Sequence, residues 1–299
     1  MQKLTFIDID FPPNDDTIVN PRYGENMKDI FDYVIHWRRP KDFCLGESIN
    51  DETESREIQI FNYQDVEPND IQQGILPDNH LASALSALAE KGNLIKRLFK
   101  SDKCSDYGVY QVKLCINGEW NTITVDDYFP CIPKSNPLVS RSPGNEIWVL
   151  ILEKAIAKVY ESYYSLIHVN IAEFFLLLTG CPSFYLNLED LVKNDGHEQC
   201  LKRLKSYILD KKYLIVALSK PSEQDINAEV EYEDDMLTIG NYGYTILDVK
   251  NKQVGNLIYL RKIWYDQKKE EKIKMYEDEL KKSFPLHETN EGQLVLSKF

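Results

Sequence analysis

The chain has 299 residues, of which 43% are hydrophobic and 11% aromatic, and its formal net charge is -13. That length and apolar content can bury a large core in one domain or in two smaller ones, while the acidic balance argues against a nucleic-acid surface. No run of about 18 apolar residues exists, so no membrane span is expected, and the N-terminus lacks the apolar stretch and cleavage site of a secretory signal.

The six cysteines, Cys44, Cys104, Cys115, Cys131, Cys181 and Cys200, are scattered and form no Cys-x-x-Cys pair. Free thiols in a reducing, cytoplasmic setting are expected, with no zinc site.

In chain order, residues 1–60 read as an extended lead-in with one helix. Phe6-Ile7-Asp8-Ile9-Asp10-Phe11 alternates apolar and acidic before Pro12-Pro13 interrupts it, as an edge segment would. Trp37-Arg38-Arg39-Pro40 follows. Residues 73–92 carry the central helix, expected over 78–91. Leu81, Leu85 and Leu88 recur at helical spacing, and Ala82, Ala84, Ala87 and Ala89 fill the other faces, so the helix is apolar on most sides and belongs in the interior. Asp78 is the expected N-cap and Gly92 the expected C-terminal stop.

Residues 107–130 predict a hairpin. Tyr110, Val112, Leu114 and Ile116 alternate, Asn117-Gly118 is a type I′ turn signal, and Trp120 leads the return strand. The adjacent Asp126 and Asp127 point to opposite faces of that strand, so they make a poor acid/base pair and are assigned a turn-stabilising role. Residues 146–162 predict a second core helix, with Ile147, Leu150, Ile151, Ala155, Ile156 and Val159 on neighbouring faces. Within it, Glu153 and Lys154 are expected to form a buried structural pair.

Beyond residue 184 a second lobe is expected. It has a helix over 197–209, a buried strand over 213–218, strands over 242–249 and 257–264, and a charged amphipathic helix over 266–284. That last helix has Ile273, Tyr276 and Leu280 inward and i,i+4 pairs outward. Residues 223–235 hold seven acidic side chains. The run is read as a solvated loop, with Ca²⁺ binding or contact with a basic partner as alternatives, because it lacks the Gly and regular Asp spacing of a dedicated cation loop.

Several of these segments resemble the protease core of calpain-type, papain-fold cysteine proteases. Gln73, Gly74, Leu76 and Asp78 match that family's Gln-Gly-x-Leu-Gly-Asp-Cys-Trp. The Asp-x-x-Phe-Pro-Pro and Trp-x-Arg-Pro pieces precede it in order. Gly118-x-Trp120 with Val125-Asp126-Asp127 and Pro130 follows. The run 146–158 is similar nearly residue for residue to the family's Glu-Phe-Trp…Leu-Leu-Glu-Lys-Ala-Tyr-Ala-Lys, and residues 291–297 echo its closing strand.

The resemblance implies an α+β, two-lobed papain-like fold. The first lobe would cover residues 1–184 and be built on the central helix. The second would cover residues 185–299 and be built on an antiparallel sheet.

The resemblance also locates the family's chemistry. The nucleophilic Cys falls on Asn79, the His on Tyr242 by alignment to Tyr244-Thr245, and the Asn on Lys262 by alignment to Arg261 and Trp264. Gln73 keeps the oxyanion-donor position. An Asn carboxamide has no thiolate form for a base to activate.

The expected function is therefore that of a pseudoprotease, a non-catalytic structural or protein-binding subunit of a cytoskeletal or ciliary assembly. The alternative is a divergent hydrolase with a relocated nucleophile. Among the residues weighed for that role, His80 and Ser83 lie near Asn79, and His197 and Cys200 are three apart on one helix. No cofactor is expected.

Overall fold

The computed structural model describes residues 5–23, 34–44, 57–62, 65–76, 78–132, 137–210, 212–218, 243–252, 255–262, 273–276 and 293–298. The chain divides into two units, Met1–Val169 and Asn170–Phe299.

The first unit is built around helix α1, Asn79–Ala89, in which every residue from Leu81 to Ala89 is buried, the serines included. Small side chains on all faces let neighbouring segments approach closely, which is why a helix with so little polar surface is stable here. α1 ends at Ala89, earlier than expected, and Gly92 is not its stop. Gly92 instead begins the short helix α2, Gly92–Lys96. A Cβ at Gly92 would lie 2.7 Å from the Val66 carbonyl oxygen, so glycine is needed there for close backbone approach.

Strand β1, His36–Arg38, comes before α1 in the chain, and the hairpin of β2, Val109–Ile116, and β3, Glu119–Asp126, comes after it. Asn117 and Gly118 have φ of 52° and 83°, the left-handed pair that a type I′ turn requires. β4, Phe129–Cys131, pairs antiparallel with β1, setting Trp37 opposite Pro130. Helix α3, Trp148–Val159, packs on both hairpin strands, and its residues from Trp148 to Ala157 are all buried.

Buried charges tie these pieces together. Lys154 of α3 donates to Asp126 and to the Tyr128 carbonyl. Asp126 also accepts from the backbone N–H groups of Asp8 and Tyr128, each at 2.8 Å. Lys158 bonds Asp8 at 2.7 Å. On the other side Arg39 binds Asp127 and the Phe6 carbonyl and stacks 4.1 Å from the centre of the Tyr128 ring. The two neighbouring aspartates thus face opposite ways, as their place in a strand dictates, and each takes its own cation.

The expected Glu153–Lys154 pair does not form. Successive helical residues lie about 100° apart, and the two side chains leave α3 in different directions. Lys154 goes to Asp126, while Glu153 accepts from the Ser140 N–H at 2.9 Å.

The second unit contains helices α4 (Ile171–Thr179), α5 (Leu188–Asp195) and α6 (His197–Asp210). Its strands are β5 (Ser183–Asn187), β6 (Tyr213–Leu218), β7 (Gly243–Lys252), β8 (Gly255–Lys262), β9 (Ile273–Tyr276) and β10 (Gln293–Lys298). They form one antiparallel sheet in the order β5-β10-β6-β7-β8-β9. β10 therefore lies inside the sheet, between β5 and β6.

Leu201 and Leu204 of α6 pack with Ile215, Ala217, Tyr244, Ile246, Val249, Ile258 and Leu260 into this unit's core. α4 packs on β5 and β10, so residues 170–184, expected with the first lobe, go with the sheet. The charged helix expected over 266–284 is contradicted at its centre. Ile273 to Tyr276 are strand β9, paired with β8 from Leu260 to Leu257. A ladder on an open sheet edge outweighs i,i+4 ion pairs worth only a few tenths of a kcal/mol each. The rest of that segment and the acidic loop 223–235 lie outside the described residues.

Candidate functional site

The segment before α1 is zipped onto residues 138–141. Gln72 and Arg141 exchange both backbone hydrogen bonds, at 2.8 and 2.9 Å, and the Ile75 N–H donates to the Leu138 carbonyl at 2.8 Å. Gly74 lies against this strand so tightly that a Cβ would overlap the Leu138 and Val139 carbonyls. This clamp fixes Gln73, whose side chain reaches the start of α1. Its Nε2 donates to Asn79 Oδ1 at 2.8 Å, with Asp78 Oδ1 at 3.2 Å and the Leu76 carbonyl at 3.3 Å.

Asp78 occupies the N-cap position, and its carbonyl accepts the first helical bond, from the Ala82 N–H at 3.1 Å. Its side chain does not cap the helix as expected; it turns inward. Burial pushes the Asp78 carboxyl up to about 7, with the Gln73 hydrogen bond opposing the shift. Glu153 of α3 is also wholly buried. Desolvation, and after it the charge of Asp78, hold its carboxyl well above the ordinary range. Sequence reasoning missed this neighbour of the site by pairing Glu153 with Lys154, although the helical period alone separates them.

Asn79 is half-buried at the positive end of α1. Its carboxamide presents an oxygen acceptor where a thiol would have to stand for cysteine chemistry. His80 Nδ1 donates to the Val169 carbonyl at 3.0 Å, and Ser83 Oγ donates to the Asn79 carbonyl at 2.7 Å. Neither side chain is directed at an acceptor that it could activate as a nucleophile.

In the second unit Lys262 ends β8 opposite Tyr244, and Tyr242 lies outside the described residues. His197 begins α6. Cys200 is buried on the same helix, and desolvation raises its thiol, the reverse of what a nucleophile needs. Burial likewise pushes Cys44 and Cys131 up to about 12. Among the described residues no group of three or more His, Cys, Asp or Glu could hold a metal ion, and no helix is long and apolar enough to cross a membrane.

This helix-plus-sheet pair of units has relatives of known family. The calpain-type cysteine protease DEK1 of Zea mays is 29% identical over 263 residues, covering 88% of this chain and 12% of that protein. Calpain-5 of Caenorhabditis elegans is 25% identical over 291 residues, covering 88% of the chain and 41% of the relative. The calpain-1 catalytic subunit of Macaca fascicularis is 32% identical over 202 residues, covering 67% of the chain and 26% of the relative. The chain thus spans well under half the length of these proteins. The model of the calpain family of cysteine proteases matches residues 6–282. With that match running through both units, the chain belongs to the calpain family of cysteine proteases.

Proposed function

We propose that this chain is a calpain-like pseudoprotease, a non-catalytic structural or protein-binding subunit of a cytoskeletal or ciliary assembly. The observation that carries the reading is the bond between Gln73 and Asn79. The residue at the start of the central helix cannot form a thiolate, and the amide aligned with the oxyanion donor is spent on that residue's own side chain.

The other two aligned positions, Tyr242 and Lys262, support the same reading. A tyrosine titrates near about pH 10 and is a weak base at neutral pH. Loss of the nucleophile from a triad lowers the rate by on the order of 10⁶. Three substitutions together leave a shaped surface with no means of attack. The cytoskeletal or ciliary setting rests on the family resemblance of members lacking the cysteine.

The test combines a fluorogenic peptide with a thiol-directed activity probe, both with Ca²⁺ added, and co-purification from cells in moderate salt. No turnover, no probe labelling and a stably retained protein partner are expected. Turnover or labelling that disappears in Asn79→Ala or Cys200→Ser would overturn the reading.

A further inference from the structure

The first unit buries two carboxyl groups that the reading above does not use. Asp78, at the start of α1, and Glu153, in the middle of α3, are 1% and 0% exposed. The strand segment 138–141 holds both ends in place. Its Leu138 carbonyl accepts from Ile75, three residues before Asp78, and its Ser140 N–H donates to Glu153 Oε2. Each carboxyl has one oxygen engaged, Asp78 Oδ1 by Gln73 and Glu153 Oε2 by Ser140. Each also has one buried oxygen, Asp78 Oδ2 and Glu153 Oε1, with no hydrogen-bond partner among the described residues.

Two bare carboxylates cannot be buried in each other's field without compensation. The charges acting on either group include no cation. Lys154 adjoins Glu153 in sequence, but its ammonium is bound to Asp126 and the Tyr128 carbonyl. The positive end of α1, the Gln73 amide and the Ser140 N–H can support one negative charge between them. They do not supply a second.

We propose that Asp78 and Glu153 hold one proton between them at neutral pH, and that this proton locks the base of α1 to α3, so that the first unit loosens as the medium becomes alkaline. The unpartnered oxygens are where an acid proton and its acceptor belong. The direction of titration agrees, since both carboxyls are raised above their ordinary range, Asp78 to about 7.

The folded state therefore binds protons that the unfolded chain has released. This contribution is fully present below the ordinary carboxylate range and is lost as pH rises through about 7 and beyond. Other titratable groups surround the pair without neutralising it. Tyr163 is buried and feels the charges of Glu153, Asp126 and Cys131. His80, two residues from Asp78, is bonded to the Val169 carbonyl. The inference stands whether or not the chain cleaves peptides.

The experiment uses the full chain carrying Glu146→Gln, because Glu146 is also pushed up to about 7 and would contribute its own signal. Infrared spectroscopy should show a protonated carboxylic-acid carbonyl at neutral pH that is absent when Glu153→Gln is added. The folding equilibrium constant of the parent should fall, relative to the Glu153→Gln variant, by up to about tenfold per pH unit for the one linked proton above about pH 7. The absence of that band from the parent at neutral pH would overturn the proposal. So would parallel stability curves for the two proteins, or stabilisation of the parent by Na⁺ or Ca²⁺ that Glu153→Gln abolishes. The infrared measurement on the parent decides the matter even where the variant folds poorly.

Discussion

Gln73 Nε2 stands 2.8 Å from Asn79 Oδ1, so the first unit closes its own site with a side-chain hydrogen bond. The same nitrogen faces Asp78 Oδ1 and the Leu76 carbonyl, which makes Gln73 the donor for three acceptors at the start of α1. Gln73→Leu keeps the bulk and removes the donor. Unmade bonds to partly buried acceptors each cost about 1–3 kcal/mol, and the three here share one amide. A loss of about 1–3 kcal/mol in chemical denaturation is expected. Gln73→Glu should be no better, because it sets a further carboxylate against Asp78.

Asn79→Cys restores a thiol at a helix N-terminus, where the backbone favours the thiolate. Tyr242 and Lys262 leave that thiol without the imidazole that generates and orients the nucleophile in the family resembled here. Hydrolysis of a fluorogenic peptide by Asn79→Cys alone is expected to remain at background, while a small alkylating reagent modifies the new cysteine. Measurable turnover by the single variant would mean that another group acts as the base.

Lys154 and Asp126 form an ion pair whose side chains are both 0% exposed. Breaking a buried pair by removing one partner costs about 3–5 kcal/mol, whereas replacing both can be close to neutral. Lys154→Met should therefore destabilise the first unit by about that amount, and Lys154→Met with Asp126→Asn should recover much of it. The carboxamide oxygen that Asp126→Asn leaves in place can still accept part of the backbone cradle from Asp8 and Tyr128, which keeps the double variant folded. A double-mutant cycle followed by tryptophan fluorescence, with Trp148 at the start of the helix that carries Lys154, measures the coupling.

How much of this was legible in the sequence depended on whether the signal was local. The hairpin was, because Asn117-Gly118 demands its own backbone conformation. So was α1, because its leucines and alanines leave no polar face to expose. The meeting of the Phe6–Phe11 stretch, Arg39 and Asp126-Asp127 was visible only as family words in the right order, since no spacing rule joins segments so far apart in the chain.

Where a tertiary contact overrode a local one, the expectation failed. Gly92 serves close approach to Val66 rather than a helix stop. Ile273 and Tyr276 join a sheet edge rather than a helix face, and Glu153 turns to Ser140 rather than to Lys154. In the site itself the identity of Asn79 and Gln73 was readable, but their bond to each other was not, because it depends on the 72–76 segment being zipped onto 138–141.

Glu146 accepts from the Asn62 N–H, and burial pushes its carboxyl up to about 7, with Asp70 and Glu67 adding to the shift. A raised carboxyl favours the folded state below the ordinary carboxylate range, and that advantage is lost as pH rises through about 7. Glu146→Gln keeps a carbonyl oxygen to accept from Asn62 and removes the titration. Wild type and variant should differ little near about pH 4, and the variant should gain relative to wild type by about pH 8. Melting temperatures across that range check this, and a constant difference would exclude the linkage.

The thiols offer a last check on the idea of a displaced nucleophile. Burial pushes Cys44 and Cys131 up to about 12 and raises Cys200 as well, so none of these carries appreciable thiolate at neutral pH. Cys104 is exposed to solvent, although partial desolvation also raises its thiol. In the native chain at about pH 8, iodoacetamide should modify Cys104 well before Cys44, Cys131 and Cys200. The buried three should become reactive only in denaturant, as their accessibility then rises together with their thiolate fraction. Mass spectrometry of the alkylated peptides gives the order directly. A fast, stoichiometric reaction at Cys200 in the folded protein would mean that the α6 thiol is activated by a neighbour, and would return the divergent hydrolase to consideration.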